Sequence, residues 1–453
     1  MERERVYLKL LGKKILSYKI LEDGTIEGTG ILNPILDRIR LFRILVMMIL
    51  QAGFYDKYKD LGRWKGMRVS NPFAPPVGSK PQIRALKGLV KKEFLKKPTP
   101  LAMTFAVTYR CQLNCIHCSA ANHFKPGTPE LSTEEAKNLI DQAEDLGVTV
   151  IAFTGGEPLI RKDISDLIGH VDQDKAIPIM FTNALLIDEE KADELAEAGL
   201  YTIFISIDSP VPEEHDSFRG LPGLFQRAVD AIELMKSRGV FVGISSYATR
   251  SGTEKGYYKR LYDFAREIGV DDVILFDAVP TGSLLHDTSE VLTPEQRIEI
   301  MEYSEKIFEK SIIPPLSSQS WQNSVEGYLS GIGCLAANIQ FYASAYGDIA
   351  PCDFTPLSFG NIREEPLGDI WKRMTNHPAY NHRVSYCRMQ NSRFRKCYID
   401  PIPPGATLPY PIDELPAVDY RQCKLDENSK EKTESKQKVG QEKKPDSVVL
   451  NND

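Results

Sequence analysis

Apolar positions along this chain change rhythm twice. Between residues 99 and 290, short runs rich in Val, Ile, Phe and Thr alternate with longer stretches whose apolar residues recur every three or four positions. The runs at 103–108, 149–153, 177–181, 201–207, 240–247 and 272–277 read as strands. The stretches at 133–146, 188–198, 225–238 and 255–268 read as helices. Ser132 or Thr133 with Glu135 supplies a helix start, and Gly147, Gly199 and Gly239 supply stops. Six β-α repeats predict an α/β fold, its parallel sheet curved by right-handed crossovers into a partial or complete barrel. Functional residues are then expected at the carboxyl ends of the strands.

The flanks have other patterns. Residues 6–20 read as a strand pair or a short helix, followed by the turn-like Glu22-Asp23-Gly24. Ile35, Ile39, Phe42, Val46 and Ile49 fall at helical spacing with Arg38, Arg40 and Arg43 between them, an amphipathic helix with an apolar end. Its all-apolar run, 44–50, is far short of the roughly 20 residues that span a bilayer. The segment 71–76, with three prolines, reads as a linker, and a basic helix follows to Lys97. A helical bridge over 294–310 leads to a region with five further cysteines. Beyond Lys424 the chain lacks aromatics and apolar periodicity, so a disordered tail is expected. The organisation is therefore a basic N-terminal extension (1–97), an α/β core (98–310), a small cysteine-rich α+β extension (311–424) and a tail (425–453).

Charge sharpens one of these divisions. Residues 1–97 hold 21 Lys and Arg against 9 Asp and Glu, a net +12, which leaves −18 for the rest of a chain whose total is −6. A basic segment on an acidic body points to an anionic partner, or to docking on the body itself. A membrane surface suits both the charge and the apolar stripe, whereas nucleic acid suits only the charge. With 42% apolar and 26% charged residues, fibrous and wholly disordered classes are excluded. Eight clustered cysteines are too few for a disulfide scaffold, and Met1–Lys14 shows no secretory pattern. The expectation is a cytoplasmic protein with reduced thiols, in peripheral contact with the inner membrane face.

Chemistry concentrates in Cys111-Gln-Leu-Asn-Cys115-Ile-His-Cys118, immediately after the first core strand. Three thiols on one loop in a reducing compartment can hold a metal centre. Zinc would take His117 or His123 as a fourth ligand. An iron–sulfur cube held by three thiolates would instead keep one iron open to another ligand. After the second strand comes Thr154-Gly155-Gly156-Glu157-Pro158, where glycines permit close approach of a backbone and Glu157 can attract a cation.

Taken together, these two segments resemble the CxxxCxxC loop and the GGEP element of radical S-adenosylmethionine (SAM) enzymes. The resemblance implies a partial (β/α)6 TIM-like barrel in which Cys111, Cys115 and Cys118 hold a [4Fe–4S] cluster. The open iron would chelate SAM, and reductive cleavage would give a 5′-deoxyadenosyl radical that abstracts a substrate hydrogen. Gly155, Gly156, Glu157 and Pro158 would contact the methionine amino group of SAM. Asn183, Ser206 and Asp208, at later strand ends, would approach its ribose and methionine. Arg250 would pair with its carboxylate, and His117 would lie near adenine. His215 to Gly220 resembles a loop frequent in the family, without an assigned role.

The second cysteine set resembles the SPASM or twitch extensions of these enzymes, which carry auxiliary clusters. Cys334, Gly347, Cys352 and the segments Phe359-Gly-Asn-Ile362 and Asp369-Ile-Trp371 follow that pattern, although Cys387 lacks a close CxxC partner. Five cysteines cannot complete two four-cysteine clusters. One auxiliary [4Fe–4S] cluster is expected, on Cys334, Cys352, Cys387 and Cys397, with Cys423 spare. Such an oxidoreductase would act on a peptide, lipid or small-molecule precursor and need a reductase, ferredoxin or flavodoxin as electron donor. An iron–sulfur electron carrier or sensor and a zinc-stabilised binding protein stay open as alternatives.

Overall fold

A computed structural model describes residues 6–10, 13–20, 26–30, 61–95, 98–320, 333–382, 384 and 386–416. The amphipathic stretch from Ile35, Cys423 and the expected tail lie outside the described residues. Near the N-terminus, β1 (Val6–Leu10), β2 (Lys13–Ile20) and β3 (Ile26–Gly30) form an antiparallel three-stranded sheet, so the first apolar stretch is a strand pair with a third strand added. A two-stranded hairpin follows, β4 (Gly62–Trp64) and β5 (Met67–Val69), and then the basic helix α1 (Lys80–Leu95).

The core alternates as the apolar pattern predicts. Its strands are β6 (Ala102–Thr108), β7 (Val150–Gly155), β8 (Ile177–Thr182), β9 (Thr202–Ser206), β10 (Phe241–Ala248) and β11 (Asp272–Asp277). All six are parallel and adjacent in chain order. Between them run α2 (Thr133–Leu146), α3 (Ile164–His170), α4 (Glu189–Glu197), α5 (Pro212–Arg219), α6 (Leu224–Ser237), α7 (Arg250–Glu254) and α8 (Tyr257–Glu267). Ser132 and Glu135 close a reciprocal capping box at the start of α2, which explains why its boundary was readable. The short helices α3 and α5 carry too few turns to show a period, and the sequence pattern misses them.

After α9 (Pro294–Glu309), the cysteine-rich region extends the same sheet. β12 (Leu316–Ser318) pairs with β11, while β13 (Gln340–Ala343) runs parallel to β6 and carries β14 (Ile349–Ala350) antiparallel at the edge. The sheet is therefore open, a partial barrel of nine strands. β15 (Leu357–Ser358), α10 (Leu367–Asn376), α11 (Ser392–Tyr398) and β16 (Tyr410–Pro411) complete the described chain.

Residues 71–76 are not a free linker, because their backbone seals the barrel base. The Thr202 hydroxyl donates to the Pro72 carbonyl at 2.7 Å and the Tyr201 hydroxyl to that of Ala74 at 3.2 Å. Phe73 enters the barrel against Phe181 and Phe204, with centroids 6.3 and 5.8 Å away. The base of the barrel is thus filled with aromatic side chains, and open space is left at the strands' carboxyl ends. Basic residues of α1 are also used internally: Lys80 pairs with Asp174, Arg84 donates to the Glu144 carbonyl and Lys92 to that of Asn338. Part of the charge asymmetry is therefore self-complementary docking on the body. Among the described residues no helix is long and apolar enough to cross a membrane.

Candidate active site

The strands' carboxyl ends open into a cavity of about 880 Å³. Cys111, Cys115, His117 and Cys118 line it, as do Gly155, Gly156, Asn183, Ser206 and Asp208. Glu157, Pro158 and Arg250 do not.

The GGEP segment earns its residues through packing. Gly156 N–H donates to the Thr108 carbonyl at 2.7 Å and Glu157 N–H to that of Arg110 at 2.9 Å, so β7 is tied to the start of the cysteine loop. A Cβ on Gly155 would collide with the Thr108 carbonyl, and one on Gly156 would stand 2.7 Å from the Tyr109 carbonyl. The close approach the glycines allow is therefore to the chain's own backbone. Glu157 is 1% exposed. Its carboxylate accepts from Leu159 N at 3.1 Å, the Thr182 hydroxyl at 2.7 Å and Asn183 N at 2.9 Å. It braces β7 against β8 instead of facing a ligand. Pro158 is the buried first residue of a short 3-10 turn. Arg250 turns away to the Val291 carbonyl, 3.0 Å, because the start of α7 points its side chain at the 290 loop.

Beneath the cysteine loop lies a buried charge cluster. Asp208 receives two hydrogen bonds from Arg219, at 2.7 and 2.9 Å, and the guanidinium holds its carboxyl down at about 2 despite burial. His117 Nε2 is 3.7 Å from Asp208, while its Nδ1 shares a 2.8 Å hydrogen bond with the Tyr247 hydroxyl, the two rings 4.1 Å apart. Burial outweighs the nearby carboxylate and lowers His117 to about 4, leaving it neutral. His215 Nδ1 accepts from Asp208 N at 3.2 Å, which gives the 215–220 segment its purpose: α5 delivers His215 to the Asp208 backbone and Arg219 to its carboxylate. Arg219 is the functional residue that sequence reasoning missed, although its segment was noticed. Its charge acts on Cys111 and Cys115, opposing the burial that pushes Cys115 up to about 11.

The donor chemistry fits the group the sequence implies. Cys111, Cys115 and Cys118 are free thiols around one cavity with a buried cation behind them, suited to a negatively charged cluster. Leu113 N donates to Cys111 Sγ at 3.4 Å, and hydrogen bonds to a ligating sulfur tune iron–sulfur centres. Among the described residues no group of three His, Cys, Asp or Glu closes onto one ion. Ser246, Thr253 and Thr281 belong to the cavity lining, and their hydroxyls are buried without a partner among the described residues.

The second set converges less fully. Cys334, Cys352 and Cys387 are free, and Cys334 lies close enough to the other two to add to the burial that takes Cys352 to about 12 and raises Cys387. Cys397, expected as the fourth ligand, is disulfide-bonded in this structure and so offers no thiolate there. Immediately after Cys352, Asp353 and Phe354 reach the cavity wall. Asp353 Oδ1 has no partner among the described residues, and burial pushes this carboxyl up to about 6. Its place beside a cysteine was the available signal. Phe354 packs on Phe276 at 5.5 Å, and Tyr342 joins the wall with its hydroxyl 2.7 Å from that of Tyr109.

Comparison with known proteins follows the same division. Residues 105–265 match the family model described as the radical SAM superfamily, and residues 334–398 match an iron–sulfur cluster-binding domain. An AdoMet-dependent heme synthase of Methanosarcina barkeri is 30% identical over 291 residues, covering 60% of this chain and 82% of that protein. The chain belongs to the radical SAM superfamily. As a radical SAM enzyme it uses S-adenosylmethionine and iron–sulfur clusters, and its C-terminal region is the auxiliary cluster domain. Another relative, the PqqA peptide cyclase of Granulibacter bethesdensis, is 26% identical and spans 60% of this chain and 74% of that one. In fold it is similar to SuiB of Streptococcus suis bound to the precursor peptide SuiA, with TM-score 0.50 and 20% identity over 64% of this chain and 69% of that one.

Proposed function

We propose that this radical SAM enzyme abstracts a hydrogen from a neutral or cationic organic substrate, a peptide being the best fit, and passes the resulting electron to its auxiliary cluster. One observation carries the reading: a single cavity is lined both by Cys111, Cys115 and Cys118 and by Asp353 and Phe354, next to Cys352. When bound to the first set, the cluster supplies the electron that cleaves SAM to methionine and a 5′-deoxyadenosyl radical. The chain's own residues do the rest. Asn183, Ser206 and the unpartnered hydroxyls bind and orient SAM, the Asp208–Arg219 pair fixes the floor under the cysteine loop, and Asp353 faces the substrate. Cys334, Cys352 and Cys387 hold the auxiliary cluster.

Charge supports the substrate class. The cavity wall carries Asp208, Glu213, Glu214, Asp277, Glu290 and Asp353 but only Arg219 and Lys255 as cations, and Arg219 is engaged by Asp208. A polycarboxylate such as heme would meet like charges, which sets this site apart from what the heme synthases are named for. A one-electron donor of the reductase, ferredoxin or flavodoxin kind would reach the cysteine loop, where Ile116 and Phe124 are exposed. Peripheral membrane contact, and with it an inner-face location, would rest on the amphipathic stretch from Ile35. The test is substrate-stimulated 5′-deoxyadenosine formation. Lysine-rich peptide pools should stimulate it and coproporphyrin should not. Stimulation by the polycarboxylate alone would refute the substrate class.

A further inference from the structure

The loop that leaves β11, residues 278–285, is held from two sides. On the auxiliary side, Arg395 of α11 donates to the carbonyls of Pro280 at 3.3 Å and Leu285 at 2.6 Å. Gln390 Nε2, just before α11, donates to the Ala278 carbonyl at 3.2 Å. On the opposite side the same loop grips the first cysteine loop. Ser283 N–H donates to the Cys118 carbonyl and Ser283 Oγ to the Ile116 carbonyl, each at 3.0 Å. Gly282, at φ +53°, lies so close that a Cβ there would stand 2.6 Å from the Ser119 carbonyl and nearer still to that of Cys118. Contact this tight leaves no slack: a shift of the loop moves Cys118.

Arg395 is itself an unusual expense for the fold. It is 7% exposed, and its ion pair with Asp400 is long, 3.8 Å. Its hydrogen bonds go to backbone carbonyls, of Met389 as well as Pro280 and Leu285. A buried cation compensated mainly by carbonyls is costly, and what this one holds together is the loop. Its helix starts five residues after Cys387, so the guanidinium is carried by the segment that follows that cysteine.

We propose that residues 278–285 form a relay through which the auxiliary domain positions the cysteine loop of the SAM-cleaving site, with Arg395 and Ser283 as its positioning residues. The relay rests on the reading that Cys111, Cys115 and Cys118 hold a cluster that binds SAM. It makes the geometry at the first site depend on the integrity of the second. Two centres joined through one loop would thereby share one mechanical frame, and hydrogen bonds around a cluster's ligands are a known means of adjusting it.

The test uses the full chain, reconstituted anaerobically, as wild type, Ser283→Ala, Arg395→Gln, Arg395→Lys and the Ser283→Ala/Arg395→Gln double variant. The readouts are the EPR spectrum of the reduced first cluster with and without SAM, and the SAM Kd from that change. Each of Ser283→Ala and Arg395→Gln should weaken SAM roughly three- to tenfold, the effect of one lost hydrogen bond, and alter the SAM-induced spectral change. The double variant should be no weaker than Arg395→Gln within about twofold, because the two act along one path. Arg395→Lys should recover part of the loss. Unchanged SAM affinity and spectra in the single variants, or fully additive losses in the double, would overturn the relay. Should Arg395→Gln fail to fold, Ser283→Ala decides alone, since it removes only an exposed hydroxyl. A wild-type spectrum indifferent to SAM would overturn the reading of the first cysteine set, and the relay with it.

Discussion

Arg219 and Asp208 meet through two parallel hydrogen bonds, 2.7 and 2.9 Å, in the floor beneath the cysteine loop. Both side chains are nearly inaccessible, so neither charge can be lost singly without stranding the other. Arg219→Met should destabilise the protein by roughly 3–5 kcal/mol, while Arg219→Met/Asp208→Leu should recover most of that, as measured by denaturant unfolding. The pH dependence follows from the depressed Asp208 carboxyl. Its contribution is complete above the unfolded value near 4 and is lost as pH falls from there through about 2.

Glu157 separates two readings of the GGEP element. Its carboxylate accepts from Leu159 N, the Thr182 hydroxyl and Asn183 N. Glu157→Gln replaces one acceptor oxygen with a donor facing other donors, so a loss of about 1–3 kcal/mol in stability is expected. SAM affinity should change only as far as the β7–β8 brace loosens. An unaltered melting temperature with a large loss of SAM binding would return Glu157 to direct ligand contact.

Gly156→Ala places a methyl group against the Tyr109 and Arg110 carbonyls. Overpacking of this kind costs roughly 1–3 kcal/mol. Because those carbonyls begin the cysteine loop, the variant should also retain less iron after reconstitution than wild type at equal folded fraction. Full iron content would show that the loop absorbs the strain elsewhere.

Much of this was legible in the chain, and the misses share a cause. The six core strands and α2 stood out because their apolar periods and caps are local. The short helices α3 and α5 have no such period, and β12, β13 and β14 join the core sheet only through long-range pairing. Cysteine spacing pointed to the cavity, since Cys111, Cys115 and Cys118 sit on one loop. Arg219, Tyr247 and Asp353 could not be ranked, because only the fold brings α5, β10 and the residue after Cys352 to one cavity. Glu157 and Arg250 line no part of that cavity, for the converse reason. Residue type announced charge, while backbone direction decided what that charge meets.

Asp272 offers a stability test away from the site. It is 1% exposed at the start of β11; one carboxylate oxygen accepts from Val273 N, and the other has no partner among the described residues. Burial raises its carboxyl to about 8. With the folded value above the unfolded one, the native state holds the extra proton between about pH 4 and pH 8, and stability falls as pH rises through that window. Asp272→Asn should therefore flatten this slope and stabilise by roughly 1–3 kcal/mol at pH 8, read by thermal unfolding across pH.

Asp353 separates SAM cleavage from substrate oxidation. Asp353→Asn should leave SAM-dependent 5′-deoxyadenosine formation within about twofold of wild type without substrate. With a stimulating peptide pool it should lose most of the stimulation, because Asp353 lines the cavity and its buried Oδ1 has no partner among the described residues. Equal stimulation in both proteins would remove Asp353 from substrate contact.

The central claim is that Cys111, Cys115 and Cys118 hold the cluster that cleaves SAM, with a second cluster in the auxiliary domain. Iron, sulfide and 5′-deoxyadenosine should be counted after anaerobic reconstitution and dithionite reduction, in wild type and in the Cys111→Ala/Cys115→Ala/Cys118→Ala variant. The account predicts two clusters falling to one and SAM cleavage abolished. An unchanged iron count in the variant, or 5′-deoxyadenosine formed without these three thiols, would contradict it.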